Sequence, residues 1–165
     1  MFMFLLLFSR HVHAEQGGVR IDLSNLQMMA SSDIPGITTV LDTLEYRHDV
    51  TELFGRMLDI TGDGVQDYVV ESAPSLCGTG GCLYALIDGV TQRGLGEIFG
   101  EMLSIHAPLI NGYPVIQTYA SSGARTGDYS CFVYNGDRYV MVSSVEVTGE
   151  SLERLWERLD QFPLR

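Results

Sequence analysis

The stretch Asp59–Cys82, DITGDGVQDYVVESAPSLCGTGGC, decides how this chain is read. It joins an aspartate-rich turn, a short apolar run and a glycine loop bounded by two cysteines. Asp59, Thr61, Asp63, Gly64 and Asp67 occupy positions 1, 3, 5, 6 and 9 of the turn. Calcium is a hard cation that takes oxygen ligands, and alternate side chains of such a turn supply them, with a main-chain carbonyl at position 7. Gly64 admits the sharp bend. The candidate ligands are therefore Asp59, Thr61, Asp63, the Val65 carbonyl and Asp67. Val70 stands where an EF-hand needs its bidentate Glu. Tyr68-Val69-Val70 favours a strand, so the turn feeds β-structure rather than a helix. Thr-Gly-Asp-Gly is also an ordinary hairpin turn. That plainer reading, with solvated carboxylates, stands beside calcium; three carboxylates converging without a cation would repel each other.

The second feature is Cys77-Gly-Thr-Gly-Gly-Cys82. Its three glycines let the chain fold back far enough for the sulfurs to meet. In an exported protein a Cys77–Cys82 disulfide is the natural outcome. The loop is very short, so its closure contributes little entropy, and its expected role is to shape a rigid loop tip. The spacing is not that of a Cys-x-x-Cys redox pair. Two cysteines with no suitably spaced histidine leave zinc short of ligands. Cys131 is the odd cysteine, expected in a strand as a free thiol; a pairing with Cys77 or Cys82 stays open.

The turn of form Asp-x-Thr-x-Asp-Gly-x-x-Asp, followed by a strand, resembles the calcium loops of FG-GAP and VCBS-type extracellular repeats. That resemblance implies the same ligand set, with Thr61 in place of the more usual Asn. The longer pattern of turn, strand, Cys-Gly-x-Gly-Gly-Cys and apolar strand is similar to a group of uncharacterised bacterial periplasmic proteins, a group with no assigned activity.

Composition narrows the alternatives. The 165 residues carry a formal charge of −11, and all ten basic residues are Arg. Without Lys there is no Schiff-base lysine and no Walker-type phosphate loop. An acidic chain without basic clusters is a poor ligand for nucleic acid and suits a cation or a basic protein partner. Hydrophobic content of 45% argues for a folded core. Residues 1–14, MFMFLLLFSRHVHA, have the apolar run and small residues of a secretory signal, though no basic leader. The run is too short to span a bilayer. The expectation is a periplasmic or secreted protein: a signal over 1–14 and a single β-rich domain over 15–165.

Along that domain the pattern predicts strands at 19–23, 53–58, 68–70, 83–87, 102–105, 113–119, 129–134 and 139–142. Gly94–Gly100 reads as turn and strand, not as a phosphate loop. Ser121–Asp128 is polar and reads as a loop. A helix is expected from Pro35 to Tyr46, and a second near the C-terminus with Leu152, Leu155, Trp156, Leu159 and Phe162 as its apolar stripe. The fold class is α+β: an antiparallel β-meander sheet with an N-terminal helix and a C-terminal amphipathic helix packed on it.

For catalysis the residues give little. Past the signal only His48 and His106 remain, and Gly-x-Ser-x-Gly is absent. The expectation is a calcium-stabilised binding or structural module and not an enzyme, with rigid loops at Ala73–Cys82 and Ser121–Asp128. The alternative is an inhibitor of a basic cell-wall hydrolase such as lysozyme. Ser121, Ser122, Gly123 and Arg125 resemble the Ser-Gly loop that some periplasmic lysozyme inhibitors insert into the enzyme cleft, and the negative charge would steer such a complex. An ordinary surface turn is the plain reading of the same residues.

Overall fold

The chain turns a corner at Gly100-Glu101, and that corner divides the β-structure into two sheets. In the computed structural model, residues 18–163 are described, apart from 24, 39, 41–50, 73, 74 and 76. The expected signal at 1–14, His48 and most of the helix expected over 35–46 lie outside the described residues.

The strands are β1 (Val19–Asp22), β2 (Gln27–Ala30), β3 (Glu52–Leu58), β4 (Asp67–Glu71), β5 (Cys82–Ile87), β6 (Gly94–Gly100), β7 (Met102–Ile110), β8 (Tyr113–Gly123), β9 (Thr126–Tyr134) and β10 (Tyr139–Thr148). One five-stranded sheet runs β2-β3-β4-β5-β6 and the other β1-β7-β8-β9-β10. All strand pairings among the described residues are antiparallel. The structure thus corrects the single expected meander. Glu101 alone separates β6 from β7, and its N–H bonds the Tyr119 carbonyl of the second sheet. A strand that bends so sharply passes from one packed sheet to the other.

The pleat explains the core. Val69, Leu86 and Ile98 of the first sheet meet Leu103, Ile116, Phe132 and Tyr134 of the second in one shared core. Val70, Ala85 and Ile87 point the opposite way and are covered by Ile34, Ile37 and Val40. Strands β4 and β5 are apolar without alternation because both of their faces are buried. Within 34–40 a helical bond runs from the Val40 N–H to the Gly36 carbonyl.

Part of the outer face of the second sheet is covered by α1 (Gly149–Leu159). Leu152, Leu155 and Leu159 pack on Met102, Tyr119, Tyr129 and Val147. Leu159 is fully buried, a contribution of about 1.5–3 kcal/mol for such a side chain. The Ser151 hydroxyl accepts the Thr148 N–H at 2.8 Å and caps the helix start. Glu150 and Arg154 pair one turn apart at 3.7 Å. No helix among the described residues is long and apolar enough to cross a membrane.

The second correction concerns 121–128. Strand β8 runs through Gly123 and β9 begins at Thr126, with Gly123 opposite Thr126. The polar stretch is a hairpin with Ala124 and Arg125 at its tip, not a loop. Its residues are polar because they extend past the core, while their backbone still pairs.

Candidate functional site

The aspartate turn connects β3 to β4, whose register sets Leu58 opposite Asp67. Asp67 is buried to 0% exposure. Its Oδ2 accepts the N–H groups of Ile60 at 2.8 Å and Thr61 at 2.9 Å, and its Oδ1 accepts the Gly89 N–H at 2.9 Å. Burial pushes its carboxyl above the usual range, against the pull of these donors. Asp59 accepts Gly62 N–H at 2.6 Å on one oxygen and Gly64 N–H at 3.0 Å on the other. Asp63 accepts Val65 N–H at 2.8 Å. The turn is therefore wound around its own carboxylates, with Gly62 and Gly64 at positive φ.

The five expected ligand residues divide in two. Asp67 turns inward as a backbone staple. Asp59, Thr61, Asp63 and Val65 remain on the turn itself. The Thr61 hydroxyl is buried without a hydrogen-bond partner; it bears on the charge of Asp67 without hydrogen-bond geometry. A buried polar atom left unpaired calls for a water or an ion. Each carboxylate oxygen has two lone pairs, so Asp59 and Asp63 keep acceptor capacity after bonding their N–H groups. Asp59 and Asp63 thus keep oxygen acceptors on the turn, while the Thr61 hydroxyl lies toward Asp67. Asp59, Asp63 and Asp67 do not form a three-carboxylate group.

Asp88 anchors the adjacent turn. Its Oδ1 accepts the N–H groups of Val90 and Thr91 at 2.8 Å each, and its Oδ2 accepts the Tyr113 hydroxyl at 3.0 Å. Burial raises its carboxyl, but these donors outweigh burial and hold it below the usual range. The sequence shows Asp88-Gly89 as a turn; that the turn completes the Asp67 staple depends on β4–β5 pairing.

Cys77 and Cys82 form a disulfide, and Cys131 is free. The loop is closed by paired backbone bonds between Gly78 and Gly81 at 2.9 and 3.1 Å. It lies against the β8–β9 hairpin: a methyl group on Gly80 would stand 2.6 Å from the Ser121 carbonyl. The two loops singled out by sequence, one from each sheet, are thus neighbours. Phe99 beside them is 41% exposed. The Ser121 hydroxyl donates to the Gly123 carbonyl at 3.4 Å, and the Ser122 hydroxyl to Thr126 Oγ1 at 3.3 Å. Arg125, at positive φ, pairs with Glu153 of α1.

Glu71 was missed by sequence reasoning. Its Oε1 lies 3.0 Å from Cys77 Sγ. Glu71, Cys77 and Cys82 are the one group of three metal-ligating side chains, among the described residues, whose ligand atoms lie within 4.8 Å of one another. Nothing local in the sequence signals this, because Glu71 belongs to the preceding strand.

His106 sits on β7 with Nε2 3.0 Å from the Ser104 hydroxyl and its ring edge-on to Phe162 at 5.0 Å. Burial, and then the Arg158 charge, lower its pKa. These contacts tie the sheet to the C-terminal segment. A cleft between β6 and β10 is lined by Arg93, Glu97, Asp137, Arg138, Tyr139 and Met141; Glu97 accepts the Ser72 hydroxyl at 2.9 Å and Arg93 pairs with Asp137 at 3.3 Å.

Comparison with known proteins finds no family model that matches this chain, and no curated protein or solved structure significantly similar to it.

Proposed function

We propose that the chain is an exported, β-rich binding or structural module that engages a basic protein partner through the Cys77–Cys82 loop and the neighbouring Ser121–Thr126 hairpin end. The adjacency of Gly80 and Ser121 carries this reading. Two short loops from different sheets, each closed by its own hydrogen bonds, make one rigid surface and keep the ordering cost of binding small. The formal charge of −11 suits a basic partner. The disulfide fits an oxidising compartment. No reaction is assigned to the module.

Calcium belongs to the same proposal. Asp59, Thr61, Asp63 and the Val65 carbonyl would hold it, with Asp67 positioning the turn from behind. The ion would neutralise the carboxylates and satisfy the Thr61 hydroxyl.

Inhibition of a basic hydrolase is the narrower alternative. Arg125 is paired with Glu153, so a wedge built on Ser121, Ser122, Gly123 and Arg125 would have to give up that contact. Affinity capture from an envelope extract tests the module. A basic protein held by the wild type and lost with Thr79→Arg or Ser122→Arg supports the loop face; capture unchanged by both variants rejects it. Lysozyme turbidity separates the alternative: unimpaired lysis at excess protein removes it.

A further inference from the structure

We propose that reduction of the Cys77–Cys82 disulfide opens a zinc site, in which the two thiolates and the Glu71 carboxylate bind one Zn2+ with water at the fourth position. The site is separate from the aspartate turn and does not rest on calcium binding there.

The ligand set follows from strand pairing. Glu71 on β4 lies opposite Tyr84 on β5, two residues along the strand from Cys82. Diagonal neighbours of this kind are within reach of a long side chain. The Glu71 carboxylate oxygen reaches 3.0 Å from Cys77 Sγ, and all three ligand atoms fall within 4.8 Å of one another. The Cys-x4-Cys spacing lies within the range of zinc-binding cysteine pairs, and three protein ligands with an open fourth position is a common zinc arrangement. Thiolates select a softer metal than calcium.

Backbone contacts hold the loop alongside its sulfur–sulfur bond. Gly78 and Gly81 exchange two backbone hydrogen bonds, and Cys82 stays in the ladder opposite Gly100. Gly81, at φ +112°, sits so close to β6 that a methyl group there would lie 2.0 Å from the Gly100 carbonyl. A reduced loop so held keeps both thiols beside Glu71, which lowers the cost of assembling the site.

The chemistry balances with a dithiol reductant. It delivers two electrons and two protons, the Cys77–Cys82 bond breaks, two S–H bonds form, and the reductant becomes a disulfide. Zinc then displaces both thiol protons. The disulfide form excludes the metal, so loading reports the redox state of the loop.

The test uses the full chain reduced with a phosphine, with Co2+ as a spectroscopic stand-in for zinc. One equivalent of Co2+ should give a thiolate-to-cobalt charge-transfer band in the reduced protein and none in the oxidised form, and Zn2+ should erase it. Glu71→Gln should weaken binding at least about tenfold, Cys77→Ser should abolish the band, and Cys131→Ser should leave it unchanged. A reduced protein that keeps its far-UV circular dichroism but shows no band overturns the proposal. So does equal affinity in Glu71→Gln, or loss of the band in Cys131→Ser.

Discussion

The Asp67 carboxylate and the Gly89 N–H, 2.9 Å apart, join the turn between β3 and β4 to the turn after β5. With Ile60 and Thr61 bonded to the other oxygen, both oxygens of this buried carboxylate act as acceptors. Asn cannot replace it, since its NH2 would face a donor on one side or the other. Asp67→Asn should therefore cost at least about 2 kcal/mol, as expected for buried N–H groups left unpaired. Asp63→Asn, on the exposed part of the turn, should cost under about 1 kcal/mol. Urea midpoints in chelator check this; equal losses would contradict the staple.

Acid should reveal Asp88. Its folded pKa is depressed from 3.8, because hydrogen bonds from Thr91, Tyr113 and Val90 outweigh the opposing effect of burial. Its contribution is present above 3.8 and is lost as pH falls through the lower folded value. Asp88→Asn should flatten the stability profile below about pH 4, read from urea midpoints across pH. An unchanged acid limb would remove Asp88 from the account.

His106 acts in a higher window. Its pKa lies below 6.5 through burial and the Arg158 charge, so protonation opposes folding. Stability should decline as pH falls from 6.5 through the folded value, and His106→Gln should reduce that decline. The same urea series checks it, and a slope in His106→Gln equal to that of wild type would contradict it.

Gly81→Ala should be among the most damaging single changes in the Cys77–Cys82 loop, because its φ is positive and the Gly100 carbonyl leaves no room. A loss of more than about 2 kcal/mol is expected. Gly78→Ala meets nothing within 4 Å and should cost less than half as much. Equal thermal melts for the two variants would show that the loop is not clamped on β6.

Local pattern made much of this molecule legible. The β3–β4 and β9–β10 hairpins, the β5 strand and the Leu152, Leu155 and Leu159 face of α1 all follow from periodicity and turn residues. The division into two sheets was not legible. Gly94–Gly100 reads as turn and strand and the next strand is expected at 102–105, and only the long-range bond from Glu101 to Tyr119 reveals a corner between them. Strand β2 was equally hidden, because Gln27–Ala30 shows no alternation and takes its conformation from β3. At the candidate site the turn residues were legible, but their division of labour was not. Asp67 falls at a ligand position by spacing, and its inward role depends on Gly89, 22 residues away. Glu71 joins Cys77 and Cys82 through strand pairing, which spacing along the chain does not encode.

The most direct measurement of the central claim is a pair of thermal melts, one in excess Ca2+ and one in chelator, repeated with Asp63→Ala. A ligand at about 100 times its dissociation constant adds about 2.7 kcal/mol, so the wild type should melt several degrees higher with calcium. Asp63→Ala should lose that shift while folding normally. Superimposable wild-type melts would show that Asp59, Thr61, Asp63 and Val65 form a turn complete without an ion.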